Sequence, residues 1–313
     1  MAWTQTLEAW DLLDSAHASG ERAAAALGAR GVKCRVVTIT GERGSTDFIR
    51  VFLPGAHGKS AGGAAPTLGI IGRLGGIGAR PDRIGLVSDA DGATTAIACA
   101  LKIADMRREG DPLPGDVIVG THVCPRAFIH QTPTVSMMMS PVDIATMNAH
   151  EVDPAMDAIL SIDTTRGNRV VNHKGIAITL PVKEGYILRI PDVLLDVYQW
   201  VTGIPPVIVP LSMQDITPYG TGLRHINSIL QPSTATSAPV VGVALTAVVP
   251  VPGSATGTSQ AADIETAVRF CLEVGKAYGS GACEFYDQKE FDELLARYGP
   301  MRHLQSLGHA VAM

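Results

Sequence analysis

The sequence predicts an α/β fold in which helices cover both faces of a mostly parallel, doubly wound sheet. Short apolar segments alternate along the chain with longer segments of helical spacing, a pattern typical of strands that are buried on both faces. Hydrophobic residues make up 46% of the 313 residues and charged residues 18%, which is enough apolar material for one large core. We therefore expect a single domain over residues 1–313.

The first half of the chain begins with a predicted N-terminal helix in residues 1–30. Strands are then expected in the segments KCRVVTIT, DFIRVFLPG, PTLGIIG, GDVIVGTH and AILSID. A long helix is expected from Asp91 to about Glu109, and a short one in SPVDIATMNA. The order of these elements favours parallel pairing, because each crossover between parallel strands needs a connection of this length.

The second half repeats the alternation. Strands are expected in GIAITLPV, GYILRI, PPVIVPL and PVVGVALTAVV, a helical turn in RHINSILQ, and helices in PDVLLDVYQWVTG and over residues 261–279. Pro191 near the start of the first of these helices and Gly203 after its end fit the usual positions of the two residue types. Residues 285–313 are expected to form a C-terminal helical tail.

Composition and charge narrow the class of partner. A net charge of -5 and a pI near 6.0 argue against nucleic acid, and small molecules or short peptides are the expected ligands. The most apolar run, residues 237–253, is short and interrupted by prolines, so no membrane partner is expected. The five cysteines are scattered and the first 30 residues do not resemble a signal peptide, which together favour a cytoplasmic location.

Polar residues that directly follow apolar strands are the candidates for chemistry, since ligands bind beyond the carboxyl ends of such strands. His122 and Cys124 end one strand, two positions apart and therefore on the same side. Asp163 ends another strand, and Asp89 and Asp91 open the long helix. Carboxylate, imidazole and thiolate donors suit a divalent metal, of which Zn²⁺ is the expected one.

Two further segments contribute candidates. Arg73 follows the strand PTLGIIG, and a guanidinium there would bind a substrate carboxylate through two hydrogen bonds. The polar segment QDITPYGTGLRHINS carries the others. His225 is expected to be a further metal ligand or a proton shuttle. The expected substrate-binding residues of this segment are Gln214, Asp215 and Asn227.

Each candidate also has an ordinary structural explanation. Asp89 or Asp91 has the position of a helix N-cap, where an acidic residue also interacts favourably with the helix dipole. Cys124 has the character of an ordinary buried thiol. Asp163, followed by two threonines, is compatible with a local Asx turn. The sequence leaves these alternatives open.

Several strings resemble known families. GDVIVGTHVCP, DAILSIDTT, QDITPYGTGLRHINSILQP and APVVGV are similar to a bacterial family known only as a domain of unknown function. More distantly, the order of elements resembles the zinc aminopeptidase clan with co-catalytic metals. In that resemblance Asp89 or Asp91 matches the bridging aspartate and Asp163 a later aspartate ligand. Arg73 stands where a histidine ligand is expected and HVCP where a Glu-Glu pair is expected, so the likeness supports the fold more than the reaction.

Three functional hypotheses follow. The first is a metal-dependent hydrolase of an amide or peptide-like bond, with Asp89, Asp91, His122, Cys124 and Asp163 as ligands. The second is an amidohydrolase in which Cys124 attacks, with His122 or His225 as base and Asp163 orienting the imidazole. The third is a non-catalytic binding or assembly protein on a degenerate peptidase scaffold. A homo-oligomer is expected, because two of the predicted strands would suit an interface.

Overall fold

The structure, a computed structural model, describes residues 1–73, 86–125, 127–131, 136–165, 171–209, 228–250 and 257–305. Its strands are β1 (Cys34–Gly41), β2 (Gly44–Leu53), β3 (Leu68–Gly72), β4 (Val117–Val123), β5 (Phe128–Gln131), β6 (Ser136–Met139), β7 (Ala158–Thr165), β8 (Gly175–Ile178), β9 (Val182–Lys183), β10 (Tyr186–Ile187) and β11 (Val240–Thr246). The helices are α1 (Trp3–Leu13), α2 (Gly20–Gly28), α3 (Asp91–Arg108), α4 (Ile144–Glu151), α5 (Asp192–Thr202), α6 (Ala261–Gly279) and α7 (Gln288–Tyr298). Short 3-10 turns include Ser88–Ala90, Ser228–Thr234 and Arg302–Gln305.

β5 and β6 form a separate two-stranded sheet, and the other described strands form one nine-stranded mixed sheet. Its strand order is β1-β2-β4-β3-β7-β11-β9-β10, and β8 pairs with β11 beside that path. The four central strands, β4, β3, β7 and β11, run parallel, whereas the pairs toward both edges are antiparallel. The predicted α/β fold class is confirmed, with the parallel part at the centre of the sheet.

The two faces of the sheet are covered differently. On one face, the larger apolar core joins the central strands to α1, α3, α5 and α6. On the other face, a smaller core lies beneath α4 and the 3-10 turn Ser228–Thr234. Alternate residues of β4 point to opposite faces, so Val119 packs into the larger core and Ile118 into the smaller one.

Glycines allow α3 to begin directly against the strand ends. A Cβ atom on Gly92 would lie 2.5 Å from the carbonyl oxygen of Arg73 and 2.7 Å from that of Ile162. A Cβ on Gly72 would in turn lie 2.3 Å from the carbonyl oxygen of Gly92. Real Cβ atoms do not approach backbone this closely, so only glycine permits the start of α3 to sit over the ends of β3 and β7.

Some predicted elements differ from the observed ones. The N-terminal segment forms two helices rather than one, because Ser19 caps a new helix through a hydrogen bond from the amide of Arg22. Among residues 205–209, the described part of PPVIVPL, only Ile208 bridges to the sheet, and GYILRI contributes only the two residues of β10. Among the described residues, no helix is long and apolar enough to cross a membrane.

Candidate functional site

Three predicted site residues lie in register at the carboxyl ends of neighbouring strands. Gly72 of β3 pairs with Thr121 of β4 and with Ile162 of β7, so the residues that follow these three, Arg73, His122 and Asp163, are aligned across the sheet. Neighbouring strands lie about 4.8 Å apart, which places the backbones of His122 and Asp163 on the order of 10 Å from each other. The backbones of these three residues therefore lie at the same end of the parallel strands.

A buried glutamate of α4 binds both the imidazole and the guanidinium. His122 Nδ1 lies 2.6 Å from Glu151 Oε1, and Arg73 Nη1 donates to Glu151 Oε2 at 2.7 Å. The side chains of Arg73, His122 and Glu151 are 1%, 2% and 0% exposed. Gly120 makes this approach possible, because a Cβ there would lie 2.6 Å from the carbonyl oxygen of Glu151. We call Arg73, His122 and Glu151 the buried triad.

The charge state of Glu151 follows from its neighbours. Burial alone raises the pKa of this carboxyl group, but the positive charge of Arg73 and the hydrogen bonds from His122 and Arg73 outweigh burial, so the pKa lies below its usual value. Glu151 is therefore ionised near neutral pH and accepts a hydrogen bond from Nδ1–H of His122. This arrangement fixes the tautomer of His122, so that Nε2 is the basic nitrogen of the ring.

Arg73 is held on a second side by amides. Its Nη1 also donates to Asn148 Oδ1 at 3.1 Å, and its Nη2 donates to Gln231 Oε1 at 2.8 Å. The Asn148 amide nitrogen donates to the carbonyl oxygen of Gln231 at 3.2 Å and to Thr234 Oγ1 at 3.1 Å. The protein thus supplies its own carboxylate and two amides to Arg73. The predicted binding of a substrate carboxylate by Arg73 stays a prediction.

Asp163 is held at the end of β7. Its Oδ1 accepts from the amide of Thr164 at 2.7 Å, and its Oδ2 accepts from Ser228 Oγ at 3.2 Å. Thr164 Oγ1 donates to the carbonyl oxygen of Ser88 at 2.5 Å. These bonds tie three segments together: the end of β7, the turn before α3, and the 3-10 turn Ser228–Thr234.

The two aspartates before α3 are buried, and neither has the position of the cap. Asp89 is 5% exposed and Asp91 is 1% exposed, whereas the N-cap residue of α3 is Ala90. Asp91 is the first residue of the helix, where a carboxylate interacts favourably with the helix dipole. The N-cap explanation is therefore wrong for both residues. Their role as metal ligands stays a prediction.

Cys124 lies in an apolar environment just after β4. Its thiol donates to the carbonyl oxygen of Ser45 at 3.4 Å, and it packs with Val87, Ala127 and Met138 in a small cluster. These contacts are typical of an ordinary buried thiol. Its predicted roles as metal ligand and as nucleophile stay predictions.

The described residues do not form a metal site by themselves. No group of three or more His, Cys, Asp or Glu side chains in this part of the chain is arranged to hold an ion. His122 Nδ1 is directed to Glu151, and both oxygens of Asp163 accept protein hydrogen bonds. The other predicted site residues lie outside the described residues; these are Gln214, Asp215, His225 and Asn227. We derive no catalytic step through a metal.

Four residues of the site were not predicted from the sequence. Glu151 lies at the end of a helix rather than at the end of a strand, where ligands of such sheets are expected to bind. Asn148 and Glu151 are three residues apart on α4 and therefore share a face, which is the one signal in the sequence for this pair. Ser228 and Gln231 belong to the predicted helical turn RHINSILQ, whose side-chain directions the sequence does not define.

Most of the sequence matches a known protein family. Residues 37–308 match a family described as a protein of unknown function, DUF1177. The chain belongs to the DUF1177 family. Membership of DUF1177 agrees with the resemblance inferred from the sequence and assigns no activity. No protein of curated function matches the chain.

Solved structures place this DUF1177 chain on a known scaffold. A leucine aminopeptidase mutant from tomato is similar to it with a TM-score of 0.51 and 11% identity over 86% of this chain and 61% of that one. A leucine aminopeptidase from Caenorhabditis elegans gives 0.49 and 12% identity over 88% and 65%, and a glutaminyl cyclase from Macrostomum lignano gives 0.48 and 12% over 88% of both chains. The chain thus spans less than two thirds of the two aminopeptidases. The predicted aminopeptidase-like fold is confirmed, and the likeness shows the fold alone.

Proposed function

We propose that this protein hydrolyses an amide or peptide-like bond of a small substrate, with His122 as the general base and Glu151 as the residue that orients it. The proposal depends on one observation, the 2.6 Å contact between His122 Nδ1 and a fully buried, ionised glutamate. A carboxylate on one ring nitrogen is the arrangement that prepares the other nitrogen to take a proton.

The chemistry follows from this arrangement. Nε2 of His122 would accept a proton from a water molecule as its oxygen attacks the carbonyl carbon of the scissile amide. Glu151 would stabilise the resulting imidazolium, and the same proton would then pass to the leaving amine. The amide C–N bond breaks, a C–O bond forms, and His122 returns to its neutral state. A positioned base of this kind contributes about 100-fold to 10,000-fold to a rate.

A divalent metal is the expected cofactor, and zinc the expected ion. When bound, such an ion would polarise the carbonyl and lower the pKa of water. Asp89, Asp91, Cys124 and Asp163 remain the expected ligands. His122 would join them only if its Nε2 bound the ion, and it would then not act as the base. The described residues do not arrange three such groups together, so chelation and elemental analysis decide whether turnover requires the ion.

A second candidate is a small-molecule-binding or assembly protein that has kept the scaffold without activity. The observation that favours it is that protein groups already bind the charged groups of the buried triad: Glu151 binds both Arg73 and His122, and two amides bind Arg73. A homo-oligomeric state and a cytoplasmic location also remain proposals from composition. Cys124 as a nucleophile ranks below both candidates, because its thiol donates to a backbone carbonyl within an apolar cluster.

Turnover by pure protein tests the proposal. Purified protein is assayed with a panel of aminoacyl p-nitroanilides, dipeptides and simple amides, with and without Zn²⁺, Mn²⁺ or Mg²⁺. The matched variants are His122→Gln and His150→Gln, because both histidine rings contact Phe48 and only His122 binds Glu151. We expect His122→Gln to lower kcat at least about 100-fold and His150→Gln to leave it nearly unchanged.

Two results would count against hydrolysis by His122. Equal turnover by wild type and His122→Gln would remove His122 as the base. No turnover of any substrate under any metal condition would favour the binding protein. Elemental analysis of the same sample, and its activity after chelation, decides whether a metal takes part.

A further inference from the structure

Two buried nitrogen donors, one within the buried triad and one next to it, have no acceptor in the part of the chain that the structure describes. Arg73 Nε and Gln231 Nε2 are both fully buried atoms that make no hydrogen bond. Arg73 and Gln231 are each only 1% exposed. Leaving a buried donor without an acceptor is costly, and native proteins rarely keep such groups without a reason.

The two donors are close neighbours in one network. Arg73 Nη2 donates to Gln231 Oε1 at 2.8 Å, which joins the two side chains through their other polar atoms. This bond also fixes the orientation of the Gln231 amide, because the opposite orientation would set its NH₂ group against the guanidinium. A third unpartnered polar atom, Ser161 Oγ, lies on β7 two residues before Asp163 and thus on the same side of the strand.

The side-chain amide of Asn148, by contrast, has hydrogen-bond partners for both its oxygen and its nitrogen. Asn148 also binds Arg73 through its oxygen, but its nitrogen donates to two protein acceptors. Gln231 differs in that its nitrogen has none. The contrast between two amides on one guanidinium shows that, among the described residues, the Gln231 nitrogen keeps a donor that the Asn148 nitrogen does not.

Charge decides which acceptor fits. The positive charge of Arg73 is already balanced by Glu151 at 2.7 Å, so a carboxylate ligand would add an unpaired negative charge to a buried network. A neutral oxygen with two lone pairs adds none, and the number of its lone pairs matches the number of donors. The oxygen of an amide carbonyl has this character.

We infer that Arg73 Nε and Gln231 Nε2 form a binding site for the carbonyl oxygen of a neutral amide. The inference rests on the proposed function, in which the same carbonyl is attacked. Negative charge develops on that oxygen during attack, and two preorganised donors in a water-poor site stabilise it. The buried triad and Gln231 would then combine the base with the groups that hold the carbonyl.

The site differs from an internal water position in its response to ligands. A buried water bridging the same donors would satisfy them permanently and leave them indifferent to added amides. Acetamide is the probe, and acetate of nearly the same shape is the charged control. Binding of so small a molecule is expected to be weak, with a dissociation constant of about 1 mM or above.

Side-chain NMR signals of the donors report binding directly. We expect acetamide to shift the Arg73 Nε–H and Gln231 Nε2–H signals saturably, while the Asn148 Nδ2–H signals stay nearly fixed. The signals are assigned with Arg73→Lys, which keeps the charge opposite Glu151, and with Gln231→Glu, which keeps the oxygen bound by Arg73. Acetate should produce no comparable shift.

Three outcomes would overturn the inference. Shifts no larger at Arg73 and Gln231 than at Asn148 would indicate an internal water or a protein partner. Equal shifts with acetate would contradict the choice of a neutral ligand. Saturable acetamide shifts retained in both Arg73→Lys and Gln231→Glu would place the amide elsewhere.

The same sample separates this inference from the proposed function. Saturable shifts without turnover of any amide would keep the carbonyl site and remove the hydrolase. Turnover that depends on His122 without shifts would keep the hydrolase and remove the carbonyl site. If Gln231→Glu does not fold, Arg73→Lys is the variant on which the binding measurement is repeated.

Discussion

Removing the charge of Glu151 should cost more stability than almost any other Glu→Gln change in this protein. Glu151→Gln keeps the shape of the side chain but leaves the Arg73 guanidinium, 1% exposed, without a counter-ion. Removing one partner of a buried ion pair costs about 3–5 kcal/mol of stability. The glutamine oxygen still accepts one hydrogen bond, so we expect a loss near the lower end of this range, about 3 kcal/mol. A domain is typically stable by about 5–15 kcal/mol, so the variant should still fold.

Urea unfolding followed by circular dichroism measures this loss. The matched control is Glu293→Gln on α7, which removes a carboxylate paired with Arg297 at 3.4 Å where both side chains are about 70% exposed. Such an exposed pair contributes about 0.3–0.5 kcal/mol. A loss below about 1 kcal/mol for Glu151→Gln, similar to the control, would show that Glu151 does not serve as the buried counter-ion.

Three further predictions concern pH, backbone packing and the thiol. The folded-state pKa of Glu151 lies below its usual value of 4.5, so the stability that its charge contributes is present above pH 4.5 and is lost as pH falls below that value. When unfolding is measured at several pH values, the free energies of unfolding of wild type and Glu151→Gln should converge only on the acid side. Gly92→Ala brings a Cβ to 2.5 and 2.7 Å from two carbonyl oxygens and should lower the melting temperature. Gly28→Ala is the control, because its Cβ would meet nothing within 4 Å, and it should leave the melting temperature unchanged or raise it. Equal effects of the two changes would contradict the close approach of α3 to the strand ends. Cys124→Ser should keep amide turnover in protein assayed without added metal, because the thiol donates to a backbone carbonyl within an apolar cluster. A folded variant that loses turnover while its metal content is unchanged would restore the nucleophile hypothesis.

The fold was predictable because its centre follows simple rules. The buried strand segments PTLGIIG, GDVIVGTH and AILSID lie as expected in the parallel centre, and the helix from Asp91 ends one residue before the expected Glu109. The edges were harder to predict, since β8, β9 and β10 are short and antiparallel and depend on tertiary pairing. The break between α1 and α2 depends on one capping serine, Ser19, within a segment of continuous helical composition.

The site was predictable only where it is made of strand ends. His122, Asp163 and Arg73 were identified because parallel strands bring their carboxyl ends to one edge. Glu151 and Gln231 reach the same place from a helix end and a 3-10 turn, so their contribution depends on how those elements pack. Sequence spacing also did not reveal that the guanidinium of Arg73 already has an internal carboxylate.

The tautomer of His122 is the most direct test of the account. Long-range ¹H–¹⁵N correlation spectra of the imidazole, recorded at about pH 8.5 where histidines are usually neutral, distinguish the two ring nitrogens. We expect the proton on Nδ1 in the wild type, with Nε2 as the basic nitrogen, and a loss of this preference in Glu151→Gln. A proton on Nε2 in the wild type would contradict the role of Glu151 and, with it, the proposed general base.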